Sequence, residues 1–325
     1  MTKNTRITMQ KSRLLMATLF LIISLQFAFA QKFVIPVFPD TQIEVMKNEP
    51  MFTSQMNWIV NNKTLLNIPI VIHVGDIINN ETPDQIQWKT ASKGFRILDS
   101  AKIAYALTLG DHDNAGSIGP NSVPYTGVQP ARRNTSEFNK YFPVSRFTAQ
   151  KGRYEENKSD NAWYTFKAGG LNWLVLTLEK NTRQGAVDWA NKVVSSNPTS
   201  NVIIVTHCHL YRNGLINQIP SKSNDLNPQA VYDQLIKTHS NVLMVLCGHV
   251  GYSAWRDDIG TNGNHIYQLL QDYQSEKGGG GFLRLLEIDT QKGTIAAKMF
   301  SPFSNQTKVD SSQFTFSNVK FIGRK

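Results

Sequence analysis

The stretch "LGDHDN", Leu109 to Asn114, sets His112 between Asp111 and Asp113 directly after a run of apolar residues. Four other apolar runs end in the same way. They deliver Asp40-Thr41-Gln42, then Gly75-Asp76, then His207 and His209, and finally Gly248-His249. Taken one at a time, an aspartate after a strand is an ordinary turn or cap residue, and a histidine beside a strand is ordinarily structural. The structural reading is kept for His73, His239 and His265. Taken together, carboxylate, amide and imidazole donors around one point suit a first-row divalent ion such as manganese, iron or zinc. The chain has no Gly-x-Ser-x-Gly elbow, and Cys208 and Cys247 sit at the ends of apolar runs, so neither a serine nor a cysteine nucleophile is indicated.

Something must bring these positions together across some 210 residues of sequence. The apolar runs are "FVIPVF" (33–38), "IPIVIHV" (68–74), "IAYALTL" (103–109), "NVIIVT" (201–206) and "NVLMVLC" (241–247). Each reads as a strand buried on both faces, and helix-like stretches at 83–99, 184–195 and 228–238 fall between them. In such α/β sheets ligands bind outside the carboxyl ends of the strands, where the five tips can meet. Two further strands join at Gly169-Gly170, and more follow residue 262, with turns at Gly278–Gly281 and Lys292-Gly293. Residues 112–160 show little periodicity and read as a long loop region over the sheet edge. Within it Arg132, Arg133, Arg146 and Arg153 are candidates to grip an anionic group, as are Arg256 and Tyr273 further on. Cys208 and Cys247 would lie near one sheet edge, either as two buried thiols or as a bridge between neighbouring strand ends.

Residues 1–30 carry four basic and no acidic side chains around the apolar run "LLMATLFLIISLQFAFA", which closes on Ala28-Phe29-Ala30. That is the pattern of a secretory signal peptide, and the run is shorter and more interrupted than the roughly 20 apolar residues of a membrane-spanning helix. Cleavage before Gln31 leaves residues 31–325 as a single domain and lowers the formal charge from +10 to +6. A secreted or periplasmic location follows, with no membrane association after cleavage. The moderate positive charge suits anionic ligands. No basic stripe interleaved with aromatics points to a nucleic-acid partner, and the oligomeric state is not legible.

The blocks "PDTQ", "VGDIIN", "LGDHDN", "VTH" and "CGH" resemble, in order and spacing, those of the calcineurin-like metallophosphoesterase superfamily. The segment "DYQSEKGGGGFLRLLEID" (272–289) narrows the resemblance to an exported bacterial branch whose first block reads Asp-Thr-Gln. The resemblance implies an α/β fold, a two-layered mixed β-sheet sandwich flanked by helices. It also implies one or two divalent ions per chain, about 3.5 Å apart where there are two. Carried over by position, Asp40 and Gln42 would hold the first ion, Asp76 would bridge both, and Asp111, His207 and His249 would complete the second. His112 would protonate the leaving oxygen or stabilise charge on the phosphoryl group, and Asp113 would accept from its other ring nitrogen. The implied reaction is hydrolysis of a phosphomonoester or phosphodiester by direct attack of a metal-bound hydroxide.

Three positions depart from the superfamily pattern. Gln42 stands where most members have histidine, Gly251 where the second histidine of the last block would be, and Asp111 where asparagine is usual. An amide oxygen is a weaker donor than imidazole for these metals, so the first ion would be held weakly and the second tightly. His209 and His265 are candidate replacements for the missing ligand. The incomplete set also leaves open a catalytically weak relative that binds a phosphorylated or anionic ligand.

Overall fold

A computed structural model describes residues 31–117, 133–220, 225–276 and 279–324; the segment read as a signal peptide, Arg132 and Gly278 lie outside them. Two mixed sheets form the centre. In the first, β1 (Lys32–Phe38), β2 (Val71–His73) and β3 (Tyr105–Leu107) run parallel. Antiparallel strands β11 (Leu283–Asp289), β12 (Thr294–Ser301) and β13 (Gln306–Thr307) extend the other side of β1, and β14 (Phe314–Phe316) pairs with β12. In the second sheet, β6 (Leu171–Leu178), β7 (Ser200–Thr206), β8 (Val242–Cys247) and β10 (His265–Asp272) are parallel neighbours. It is flanked by β5 (Ala162–Ala168) and β4 (Gln150–Arg153) on one side and β9 (Tyr252–Ile259) on the other.

The apolar runs are continuous because each strand has two faces to bury. One core cluster joins the inner faces, with Phe33 and Val37 of the first sheet among Trp173, Val175, Ile203, Val205 and Leu246 of the second. Phe33 meets Trp173 edge-on at 5.3 Å between ring centroids. The alternate residues Leu174, Leu176, Val202, Ile204 and Val245 form a second cluster beneath helix α5 (Gln184–Ser195). The next helical segment, α6 (Pro228–Val231), continues as a π-helical turn over Tyr232–Ile236 and covers the same face. The outer face of the first sheet is covered by α1 (Gln42–Lys47), α2 (Glu49–Asn62) and α3 (Ile86–Ser100), through Phe38 against Phe52 and Phe95. Among the described residues no helix is long and apolar enough to cross a membrane.

The structure departs from the sequence expectation in three places. Helix α2 was not expected, although Met51, Phe52, Gln55, Met56 and Ile59 are buried at helical spacing and Asn48 caps the start by accepting from the Met51 N–H. Helix α3 begins at Ile86 because Gln85 is held in a left-handed conformation at φ 56° and Asp84 accepts from Thr82 and from the Ile86 N–H. The region 112–160 is not one loop: it contains α4 (Ser136–Tyr141), a 3-10 turn at Val144–Arg146 and strand β4. Cys208 and Cys247 are both free and buried, and burial pushes the Cys247 thiol up to about 12.

The glycine run is held from below by Glu44, which is buried in α1 and accepts from the Gly281 N–H and from Gln55 at 3.5 Å. Burial raises this carboxyl to about 8, and its Oε2 has no partner among the described residues. The folded state therefore holds a proton that the unfolded chain releases near pH 4.5, so this contribution to stability is complete below that pH and is lost as pH rises through 8. In urea unfolding of the metal-free protein, Glu44→Gln should flatten the pH dependence between 5 and 8 and raise stability above pH 8, by about 5 kcal/mol at most. An unchanged slope would show that Glu44 titrates normally.

Candidate metal centre

The parallel strands of both sheets present their carboxyl ends to one place. Thr108, just past β3, ties the two layers together there by donating to the Leu178 carbonyl at 2.9 Å, with the Val205 carbonyl at 3.3 Å. The loops that follow the strands carry Asp76 after β2, Asp111 after β3, His207 after β7 and His249 after β8. One ligand atom from each of these four lies within 4.8 Å of all the others. His207 Nε2 is 3.3 Å from Asp76 Oδ2 and 3.1 Å from Asp111 Oδ1, and His249 Nδ1 is 3.1 Å from that same Asp111 oxygen.

The electrostatics of this cluster call for a cation. Burial alone would push the fully enclosed His207 toward neutrality, but Asp76, Asp40 and Asp111 outweigh it and hold the imidazole well above its ordinary value. Burial likewise opposes ionisation of Asp111, yet Lys180, His207 and His249 keep its carboxyl well below the usual range. His207 Nδ1 donates to the Val74 carbonyl at 2.9 Å, which turns Nε2 toward the two carboxylates. Orienting a ligand histidine through its second nitrogen is a common device at metal sites. A divalent ion bound there would take the place of the Nε2 proton.

Asp40 joins the cluster through its Oδ2, which accepts from the His249 N–H at 2.9 Å. Its other oxygen and Gln42 Oε1 are buried with no hydrogen-bond partner among the described residues. Buried polar atoms are ordinarily satisfied, so these two orphaned oxygens fit a second, oxygen-rich cation position. Burial raises the Asp40 carboxyl well above its normal value, and the neighbouring charges of Asp272 and Asp76 add to this.

Glycines let these groups approach so closely. A Cβ on Gly110 would stand 1.9 Å from Asp76 Oδ1, and one on Gly248 would stand 2.0 Å from Asp40 Oδ1. Gly110→Ala should displace Asp76 and weaken metal binding roughly 10-fold to 100-fold, the usual range for disturbing a ligand's support. Titration calorimetry with manganese on a variant shown to be folded measures this, and wild-type affinity would refute it.

His112 lies at the edge of the cluster. Its backbone N–H donates to Asp76 Oδ1 at 3.0 Å, its Nε2 is 3.9 Å from Asp76 Oδ2, and its Nδ1 is hydrogen-bonded to the Asn79 carbonyl. The role expected for Asp113 is therefore corrected. Asp113 is fully buried, and its carboxylate accepts from the backbone N–H groups of Ile77, Ile78 and Gly110 at 2.9, 3.1 and 2.9 Å. It clips the loop after β2 to the loop after β3, while Asn79 orients the histidine. Asp113 titrates near 7 because burial and the Asp76 charge outweigh those three donors.

Other candidates fall away from the centre. His209 is buried against Gln268 at 2.6 Å, and His265 pairs with Asp257 on the surface at 2.9 Å, so neither replaces the missing ligand. His73 is neutral in the core: it accepts from the Gly75 N–H, contacts Thr41 Oγ1 at 2.9 Å, and burial lowers it to about 3. His239 pairs with Asn191. The arginines expected to grip an anion serve the scaffold instead. Arg133 bridges Glu179 and Asp225, Arg146 pairs with Asp99, Arg153 binds Gln150 and the Glu156 carbonyl, and Arg256 pairs with Asp258. Tyr273 is buried beneath Lys308, whose ammonium lies 4.9 Å from the ring centroid.

Two charged residues at the centre were missed. Lys180 follows β6, and Asp272 ends β10, the parallel neighbour of β8. Both stand at the carboxyl end of a strand, which gives their place in the fold but not, for a lone lysine, its role.

Residues 40–252 match the calcineurin-like phosphoesterase family. The uncharacterized protein YvnB of Bacillus subtilis (strain 168) is 29% identical over 275 residues, which make up 81% of this chain and 19% of that protein. This chain thus spans about a fifth of that relative's length. Among solved structures, a dimetal phosphatase from Danio rerio shares the fold, with a TM-score of 0.54 at 12% identity over 88% of this chain and 98% of that one. GAP50, the anchor in the inner membrane complex of Plasmodium, aligns with a TM-score of 0.48 at 10% identity over 90% of each chain.

Proposed function

Because the chain belongs to the calcineurin-like phosphoesterase family, we propose that it is an exported hydrolase that cleaves a phosphomonoester or phosphodiester with the help of divalent metal. The observation that carries this reading is the convergence of Asp76, Asp111, His207 and His249 from four strand ends. These four would hold the tighter ion, and Asp40 and Gln42, together with Asp76, would hold a weaker one. A divalent ion bound there would supply Lewis-acid polarisation of the phosphoryl group and a more acidic water.

The chain's own groups do the rest. His112 Nδ1–H stays on the Asn79 carbonyl, so the ring presents Nε2 to the centre in a fixed tautomer. As the ester P–O bond breaks, Nε2 of the imidazolium delivers its proton to the departing alkoxide. Asp113 acts at one remove, by holding the backbone of the two loops that carry Asp76 and His112. The basic and then apolar character of residues 1–30 supports export.

Manganese-dependent release of nitrophenol from mono- and bis-nitrophenyl phosphate tests the proposal and separates the two ester classes. Phosphate binding without turnover under any divalent ion would instead support the binding-protein reading, which the amide at Gln42 and the glycine at Gly251 favour. Neither binding nor turnover would refute both.

A further inference from the structure

Lys180 lies two residues beyond β6 with only 6% of its side chain exposed. Its Nζ is 2.7 Å from Asp111 Oδ1 and 3.1 and 3.4 Å from the two ring nitrogens of His249. A lysine is this deeply buried only where its charge is matched, and Asp111 is the matching charge. Asp111 is also the departure from the superfamily's asparagine, and it brings a negative charge to a site for an anionic ester. Lys180 and Asp111 thus restore the charge balance that a neutral residue at 111 would give, and they add an ammonium at the metal centre.

The stalk that carries Lys180 is fixed. The Glu179 N–H donates to Asn161 Oδ1 at 2.9 Å, and the Thr182 hydroxyl donates to the Glu179 carbonyl at 2.9 Å. The Glu179 carboxylate is held by Arg133 at 2.8 Å and by Arg183 at 2.7 Å. Three donors, Lys180 Nζ, His207 Nε2 and His249 Nδ1, crowd the single oxygen Asp111 Oδ1. That oxygen cannot serve all three together with a metal ion. Were the imidazoles and the carboxylate to ligate metal, the Lys180 ammonium would stand beside the same centre as a positive charge facing an incoming anion, on a backbone held by the Glu179 and Thr182 contacts.

We propose that Lys180 is a substrate-anchoring residue, one that offsets Asp111 and donates to a non-bridging oxygen of the phosphate ester. The proposal rests on the phosphoesterase reading above. Its test is calorimetric titration of inorganic phosphate into the manganese-loaded wild type and the variants Lys180→Met, Lys180→Arg and Asp111→Asn/Lys180→Met, with the manganese content and melting temperature of each measured alongside. Lys180→Met should weaken phosphate binding roughly 10-fold to 100-fold, as for loss of a charge-assisted hydrogen bond, without reducing the bound manganese. Lys180→Arg should recover most of the loss, and so should the double variant, which removes both charges.

Unchanged phosphate affinity in Lys180→Met would overturn the proposal and leave the phosphoesterase reading intact. A gain of bound manganese in that variant would also overturn it, by marking the lysine as a competitor for the metal position. Should Lys180→Met fail to fold, Lys180→Gln takes its place with the same expected loss. A wild type that neither binds phosphate nor hydrolyses an ester would fail the phosphoesterase reading itself, and this proposal with it.

Discussion

His207→Ala is expected to strip the protein of its tighter metal ion and to lower kcat/KM on the order of a thousandfold, about 4 kcal/mol of transition-state stabilisation. His207 is fully buried, its Nδ1 is fixed on the Val74 carbonyl, and its Nε2 lies within 3.3 Å of both Asp76 and Asp111. Alanine removes a neutral donor and leaves two buried carboxylates facing each other across the gap. Each variant is measured for metal content by mass spectrometry after gel filtration. The wild type should carry about one tightly held equivalent, since only one position has imidazole donors and the other relies on carboxylate and amide oxygens. His207→Ala should carry close to none. A wild type with two tightly held ions would refute the asymmetry, and a metal-replete, active His207→Ala would refute the ligand assignment.

His112→Ala should act differently, leaving the metal content as in the wild type while kcat falls roughly 100-fold to 10,000-fold, the usual range for loss of a general acid. The ring touches the cluster only at 3.9 Å from Asp76, whereas its backbone N–H holds Asp76 Oδ1 and survives the substitution. The size of the loss should depend on the leaving group. An alkoxide needs the proton and a nitrophenolate hardly does, so a simple alkyl phosphate should suffer far more than its nitrophenyl counterpart. Equal losses on the two esters would show that His112 stabilises charge on the phosphoryl group rather than protonating the leaving oxygen.

Much of this centre was legible before any coordinates. The strands β1, β7 and β8 fall almost where the apolar runs place them, because strands buried on both faces have little freedom in composition. The loops after β2, β3, β7 and β8 then bring Asp76, Asp111, His207 and His249 together as the strand-end rule requires. Partners fixed by packing across the fold were not legible. Asp113 looks like a natural acceptor for its neighbour His112, yet its carboxylate turns to three backbone donors, two of them 35 and 36 residues away. Lys180 was overlooked because a lone lysine after a strand is indistinguishable from a surface residue until Asp111 is seen 69 positions away at 2.7 Å. Helix α2 was missed for a weaker reason. Its buried face includes Gln55 and carries two methionines, which blurs the contrast between apolar and polar residues.

The centre draws on both layers: Asp40, Asp76 and Asp111 come from the first sheet's loops, and His207 and His249 from the second's. Beyond any chemistry, an ion held between them is a staple across the seam of the sandwich. Separating the sheets at this end means giving up the ion, so the edge opens more rarely when metal is plentiful and the chain gains stability by mass action. The same event that switches the protein on would then slow its local unfolding, and a protease would meet the idle form more often in its open state than the working one.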